Sequence, residues 1–436
     1  MNIKVLLLLL VSFASVAQHR SIRPHSELWD EYMQRYVANG DFSGNILIVK
    51  DETVLFKKSY GKASFELNVP IQNDTRFRIA SVSKTFTAAA IVMLNNKGQL
   101  SYSDMLSKFV PGFPSGDSIS IAHLLLHQSG ISDIDYDRYA LDRLSSDELL
   151  ATLKSKPLYF KPGTNFRYSN SGYFILAHII EKVSGQSYEN FLADNIFRPL
   201  RMVNSGVDRA QLIIPSKATG YGIGTGATGI AQAAWMDIDM AKGSGSVYST
   251  AEDLMKWLRA INSSKLFDMG ELPYPFGWGV RQHFTNRKCI LQSGFLSGYS
   301  SFISYYPAEG LYVVALSNIS SNFNEQAGQD LAAIYFKEKY TMPDERISQI
   351  QFNADQYTGK FQWPGYKEFF IEKKDGGINW RFIDERTGSP LAPISKDAFL
   401  LRLMNTKILF HMDSDNRANE LAFTSGTDTT ICKRIN

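Results

Sequence analysis

The sequence predicts an α+β fold followed by a small all-β domain. Three observations carry that expectation. Strand-like apolar runs open the chain between Asp41 and Gly61, patterns of helical spacing fill its middle, and strands return between Gly298 and Ser317. Early and late strands of that kind share one sheet in an α+β domain. From Tyr357 to the end the pattern is short strands only. The polar stretch Tyr340 to Ile350, containing Pro343, separates the two parts. The expected division is 1–17 as an export signal, 18–345 as the α+β domain, and 346–436 as a small β-barrel or β-sandwich domain.

Each element has a local reason. Gly44 to Val49 and Thr53 to Phe56 are apolar strands joined by the turn Lys50-Asp51-Glu52. Phe77 to Leu100 switches to helix, with Thr85, Ala88, Ala89, Val92 and Met93 at helical spacing and Lys97-Gly98 as the stop. Ile119 to Leu126 is a short apolar helix, and Tyr173 to Val183 is another, ended by Gly185. Thr250 caps a further helix, with Asp253 at the capping-box position. Gly298 to Tyr306 and Leu311 to Ser317 flank the turn Pro307-Ala308-Glu309-Gly310. The expected C-terminal strands are Phe369–Lys373, Ile378–Ile383, Phe399–Leu403, Ile408–Met412, Glu420–Phe423 and Thr429–Lys433. Solenoid periods are absent.

Composition narrows the function. The 436 residues are 44% hydrophobic and 20% charged, enough for a sizeable core and against global disorder. The net charge of +3 supplies no basic stripe to replace phosphate counterions, so nucleic acid is not an expected partner. Lys4, the apolar run Val5 to Val16 and the small residues Ser15-Val16-Ala17 read as a cleaved export signal, with an uncleaved N-terminal anchor as the alternative. The run falls short of the ~20 residues a membrane span needs, and no later segment reads as one. A periplasmic or extracellular protein is expected. Cys289 and Cys432 can pair in such a compartment, but their separation says nothing about proximity, and two separate buried thiols are the simpler expectation.

Three patterns carry chemistry. Ser81 and Lys84 are three apart. At the start of a helix they share a face with Cβ atoms about 5–6 Å apart. An amine there takes or relays the hydroxyl proton once burial lowers its pKa. The helix N-terminus adds partial positive charge where an oxyanion forms. Tyr168-Ser169-Asn170 precedes the Tyr173 helix. Tyr serves as acid or base beside a cation, and Asn offers donor and acceptor to a substrate amide. Gln292-Ser293-Gly294 suits a strand running close beside a bound acyl chain. Each pattern alone also fits an ordinary surface helix, a turn, or a strand with a bulge.

In this order, Ser81-x-x-Lys84, Tyr168-x-Asn170 and the short x-Ser-Gly strand resemble the serine β-lactamase and penicillin-binding-protein superfamily. The branch that looks most similar holds class C β-lactamases, D-alanyl-D-alanine carboxypeptidases, D-aminopeptidases and esterases. Phe77 to Ser81, His123 to Gly130, Tyr248 to Leu254 and Ala315 to Asn318 extend the likeness, which spans roughly Glu27 to Tyr340. The resemblance implies a β-lactamase/transpeptidase-like domain in which Ser81 becomes acylated. It implies that Lys84 and Tyr168 transfer protons, that Tyr168 activates the deacylating water, and that Asn170 holds the substrate amide. The backbone N–H groups of Ser81 and Phe295 are then the oxyanion hole. The implied substrates are small molecules or peptides, peptidoglycan fragments among them, with no cofactor and no metal; the oligomeric state is left open.

One position departs from that branch. Gln292 stands where Lys or His is usual, so the Coulomb attraction for a substrate carboxylate, about 1–4 kcal/mol at contact range, is lost. Substrates without a free carboxylate, such as esters or amidated peptides, gain weight, and β-lactamase activity is expected to be weakened. Lys288 or His283 are possible substitutes for the cation. Gln292 also sustains an alternative: a non-catalytic cell-wall binding or sensor protein. A third reading has the β domain doing the binding. Gly224 to Gly229 matches G-x-G-x-x-G, but without a preceding strand and following helix it reads as a flexible loop near the cleft, with Tyr221 on its rim. His123 and His127 are four apart like zinc ligands, but Leu124 stands where a metalloprotease needs Glu, so core or loop-anchoring histidines are expected.

Overall fold

The central strands of the main sheet bury both faces, and helices cover each. The computed structural model describes residues 24–435 apart from 136–142, 225–228, 264–275, 285, 344–349, 375, 385–387, 405 and 426–427. The expected export signal, 1–17, lies outside the described residues. In chain order the main elements are helix α1 (His25–Ala38), strands β1 (Gly44–Lys50) and β2 (Thr53–Tyr60), helices α2 (Ser83–Asn96), α3 (Ile121–Leu125) and α4 (Asn170–Ser184), the hairpin strands β3 (Tyr221–Ile223) and β4 (Ile230–Gln232), helix α5 (Ala251–Asn262), strands β5 (Gly279–His283), β6 (Arg287–Leu296), β7 (Tyr299–Tyr306) and β8 (Leu311–Ser317), and helix α6 (Phe323–Phe336). The sheet order is β5-β6-β7-β8-β1-β2, antiparallel throughout, so the first and last strands of the domain pair as expected.

Strand alternation divides the core. Ile46 and Ile48 of β1, Val313 and Ala315 of β8 and Phe302 of β7 face α1 and α6. Leu47, Val49, Val314, Leu316 and Ile303 face the other helices. With both faces covered, these strands read as continuous apolar runs rather than alternating ones. Trp29 of α1 donates its indole N–H to the Leu331 carbonyl of α6 at 2.9 Å, tying the two outer helices together.

Helix α2 runs through the middle of the second core and is buried from Ser83 to Leu94. Its polar side chains are satisfied inside the protein. Thr85 accepts from the Trp257 indole at 3.0 Å and donates to the Val82 carbonyl at 2.8 Å, while Thr87 donates to the Gly243 carbonyl at 2.6 Å. Phe86 stacks on Trp257 of α5 with ring centroids 4.3 Å apart. The expected helix from Phe77 is corrected at its start. Phe77-Arg78 pairs with Tyr248-Ser249 as a short strand, and a 3₁₀ turn, Ala80–Val82, precedes α2. At the other end Lys97 caps and Gly98 takes φ +67°, as the stop signal predicted. Thr250 accepts from Asp253 N at 3.3 Å as the cap of α5, whereas the Asp253 carboxylate accepts from Asn204 N at 2.8 Å and so tethers a loop.

The C-terminal strands close into a barrel: β9 (Gly359–Gln362), β10 (Glu368–Lys374), β11 (Gly377–Phe382), β12 (Ser389–Pro393), β13 (Ala398–Leu401), β14 (Thr406–Met412), β15 (Ala418–Ser425) and β16 (Asp428–Ile435). Strand β9 pairs with β16 to complete the ring. Phe361, Phe369, Ile371, Ile378, Phe399 and Phe410 pack its interior, which in a barrel of eight strands is just wide enough for side chains to fill. Strands β9 and β12 were not expected; both are short, and β12 carries Pro390 and Pro393. Cys289 lies in the α1/α6 core and Cys432 in the barrel core, each a free thiol pushed up to about 12 by burial. Among the described residues no helix is long and apolar enough to cross a membrane.

Candidate active site

The turn before α2 is the floor of the site. Ala80 takes φ +47°, a left-handed conformation that a residue with a Cβ adopts at a cost of the order of 1–3 kcal/mol. It turns the chain so that Ser81, half-buried, precedes the first full turn of α2 while Lys84 is carried inside it. Lys84 Nζ lies 3.1 Å from Ser81 Oγ, 2.7 Å from Asn170 Oδ1 and 2.8 Å from the Ser244 carbonyl. Burial pulls the Lys84 amine down to about 7, against the carboxylate of Asp133, which favours the charged form. A neutral amine has two N–H bonds and one lone pair. Asn170 Oδ1 and the Ser244 carbonyl accept the two N–H bonds, which leaves the lone pair to the Ser81 hydroxyl.

Helix α4 brings the second group. Ser169 is its cap and accepts from Gly172 N at 3.0 Å. Asn170 begins the helix one residue on, so its side chain is fixed at the helix start, beside Lys84. The Tyr168 ring stands 4.8 Å from Lys84 Nζ and stacks with His127, ring centroids 4.6 Å apart. His127 accepts from Ser169 N at its Nδ1, 3.1 Å away, and burial with the nearby Lys84 charge holds it neutral, down to about 3. His123 likewise accepts from Ser120 N in the capping box of α3. Both histidines therefore anchor loops, as expected.

Strand β6 supplies the third group. Gln292 donates from Nε2 to the Ser81 carbonyl at 3.3 Å. A Cβ on Gly294 would stand 2.4 Å from the Ile79 carbonyl oxygen and 2.9 Å from Ser81 N, so only glycine lets the β6 backbone pass this close to the turn. Ser293, between them, turns its Cβ to the opposite face of the strand. Phe295 is 43% exposed and lines the cleft. Neither proposed substitute for the missing cation is placed to act. His283 bonds Tyr306 at the far end of the hairpin, and Lys288 is four residues from Gln292, roughly 13 Å along a strand.

The cleft above Ser81 holds about 510 Å³. Asn170, the β3–β4 hairpin, Trp235 and Phe295 bound it, and no described residue lining it is charged. Tyr221 is not on its rim: it is buried, accepts from Phe65 N at 2.8 Å and donates to Glu66. Of the Gly224–Gly229 loop, 225–228 lie outside the described residues; contrary to expectation a short strand, β3, does precede it, hidden in the sequence by its three-residue length, while a strand and not a helix follows.

Residues 29–335 match the family model described as Beta-lactamase. The chain belongs to the beta-lactamase family. It is 26% identical over 430 residues to penicillin-binding protein 4* of Bacillus subtilis, covering 89% of this chain and 94% of that protein. A penicillin binding protein from Bacillus halodurans superposes with a TM-score of 0.60 at 27% identity, over 70% of this chain and 99% of that one. A D-amino acid amidase from Ochrobactrum anthropi superposes with a TM-score of 0.64 at 19% identity, over 72% and 99%, a likeness of fold alone.

Within this beta-lactamase-family site, sequence reading missed Asp133. Its Oδ1 accepts from Asn170 N at 3.1 Å, Ser169 Oγ at 3.2 Å and Ser171 Oγ at 3.3 Å. It thereby fixes the start of α4 and biases Lys84 electrostatically. The Ser244 carbonyl was missed too, since a backbone acceptor leaves no trace in residue type. In the sequence Asp133 is only the first of three alternating acids, Asp133, Asp135 and Asp137, after Ser129-Gly130-Ile131-Ser132, and nothing in residue type singles it out.

Proposed function

We propose that this chain is an exported serine hydrolase that works through an acyl-enzyme on amide or ester substrates lacking a free carboxylate, such as capped D-amino peptides, related cell-wall fragments, or esters. The 3.1 Å approach of the fully buried Lys84 amine to Ser81 Oγ carries this reading. Ser81 Oγ attacks the carbonyl carbon as Lys84 takes its proton. The tetrahedral oxyanion is held by the backbone N–H groups of Ser81 and Phe295, where one donor is typically worth about 10²–10³ in rate. Collapse expels the alcohol or amine, which takes the proton back through Lys84 and Tyr168. Water then attacks the acyl carbon, its proton passing through Tyr168 and Lys84 to Ser81 Oγ as the carbon–Oγ bond breaks, which frees the acid and restores the Ser81 hydroxyl. Asn170 orients the substrate amide as well as the lysine. The uncharged cleft and the neutral Gln292 both support uncharged substrate flanks.

A panel of penicillin, a D-alanyl-D-alanine peptide, a D-amino acid amide and a short-chain ester, run on wild type and Gln292→Lys, tests the substrate class. Wild type is expected to favour the amide or ester, and the variant to gain about 10-fold or more in relative kcat/KM on the two carboxylate-bearing substrates. An unchanged preference refutes this account of Gln292.

A further inference from the structure

The barrel reaches the catalytic cleft. Leu403 lies in the turn after β13, Pro390 in β12, and both line the cavity that opens on Ser81. The turn is held from below by Arg402, which is 1% exposed. Arg402 donates from Nε to Asp41 Oδ1 at 2.6 Å, from one terminal nitrogen to the Gly229 carbonyl at 2.6 Å, and from the other to the Gly40 carbonyl at 2.8 Å. Asp41 is itself buried, so neither charge is left unpaired. The Leu403 carbonyl accepts from Asn322 N at 3.1 Å, pinning the same turn to the start of α6. Gly229 borders the β3–β4 hairpin, whose Ile223 and Gln232 also line this cavity. One guanidinium thus joins two walls of one cleft.

Resting on the serine-hydrolase reading above, we infer that the barrel is a specificity element of the active site: Leu403 and Pro390 form an apolar end wall that sets the length of uncharged substrate chain accepted beside Ser81, and Arg402 is the residue that positions this wall. The volume of about 510 Å³ falls within the usual range for small-molecule sites, so moving one side chain at its end changes which chain fits. The planar fork of Arg402 reaches the Asp41 carboxylate and several backbone carbonyls in fixed directions, which a lysine cannot reproduce.

The test uses the full chain and p-nitrophenyl esters from acetate to octanoate, with kcat/KM read for each. Leu403→Trp is expected to lower the octanoate-to-acetate ratio about 10-fold or more, and Leu403→Ala to raise it, since one methylene misfit in an apolar pocket is worth about 10–200-fold. Arg402→Lys is expected to raise KM for the longer esters more than it lowers kcat. Unfolding midpoints identify any variant that fails to fold; the two Leu403 changes act in opposite directions, so either one decides. A ratio within twofold of wild type in folded Leu403 variants overturns the inference. Failure of the hydrolase reading looks different: wild type then turns over none of the esters beyond the rate of Ser81→Ala.

Discussion

In the proposed mechanism, the protonation state of Lys84 decides what Ser81 does. An ammonium at this position offers no lone pair, and an amine offers one directed at the hydroxyl 3.1 Å away. Because burial brings the group down to about 7, the base form gains population as pH rises through that value. The rate of acylation by an uncharged ester is therefore expected to climb from pH 5 to 8 with a midpoint near 7. His127, held neutral to about 3, adds no step in that range. Asp133 favours the ammonium, so Asp133→Asn is expected to move the midpoint to lower pH while removing part of the anchor on α4. A flat profile from pH 5 to 9, read by stopped-flow burst kinetics, contradicts the assignment of Lys84 as base. At this scale Ser81, Lys84 and Asn170 were legible because three-residue helical spacing and residue type both carry information. Asp133 and the Ser244 carbonyl were not, because their meaning comes from a loop placed by tertiary structure.

Elements position these groups through backbone proximity. Strand β6 approaches the 3₁₀ turn so closely that its Gly294 has no room for a methyl group. Gly294→Ala is expected to separate strand and turn, lowering kcat about 10²-fold, since misplacing reacting groups by about an ångström costs that much. Overpacking of this kind also destabilises by about 1–3 kcal/mol, readable as a lower unfolding midpoint. Wild-type kcat in the variant removes the need for this close approach. The hairpin of β1 and β2 and the pair β7 and β8 were readable from apolar runs and turn residues. The start of α2 was not: Phe77-Arg78 continues an apolar pattern, yet pairing with Tyr248-Ser249 draws it into a strand. In the barrel, β12 escaped because proline argues against a strand interior, although the barrel accommodates Pro390 and Pro393.

At the scale of the whole molecule, the α+β class with a C-terminal all-β part was legible in the order of patterns, and the closed barrel is one of the two architectures it allowed. The coupling of the two parts was not legible. Arg402 and Asp41 are separated by 361 positions, and nothing in either neighbourhood marks a partner. The same holds for Leu403 in the cleft wall, a leucine like any other until the fold brings it into the cavity that Ser81 lines. The family match covers the domain that holds Ser81, Lys84 and Asn170, and the hydrolytic reading stands on what those three side chains do together. Intact-mass measurement of wild type and Ser81→Ala after brief incubation with an activated ester, and separately with penicillin, tests this most directly. One acyl adduct on wild type with the ester, absent from Ser81→Ala, is the predicted result; no adduct and no turnover with either reagent, the two proteins behaving identically, contradicts it.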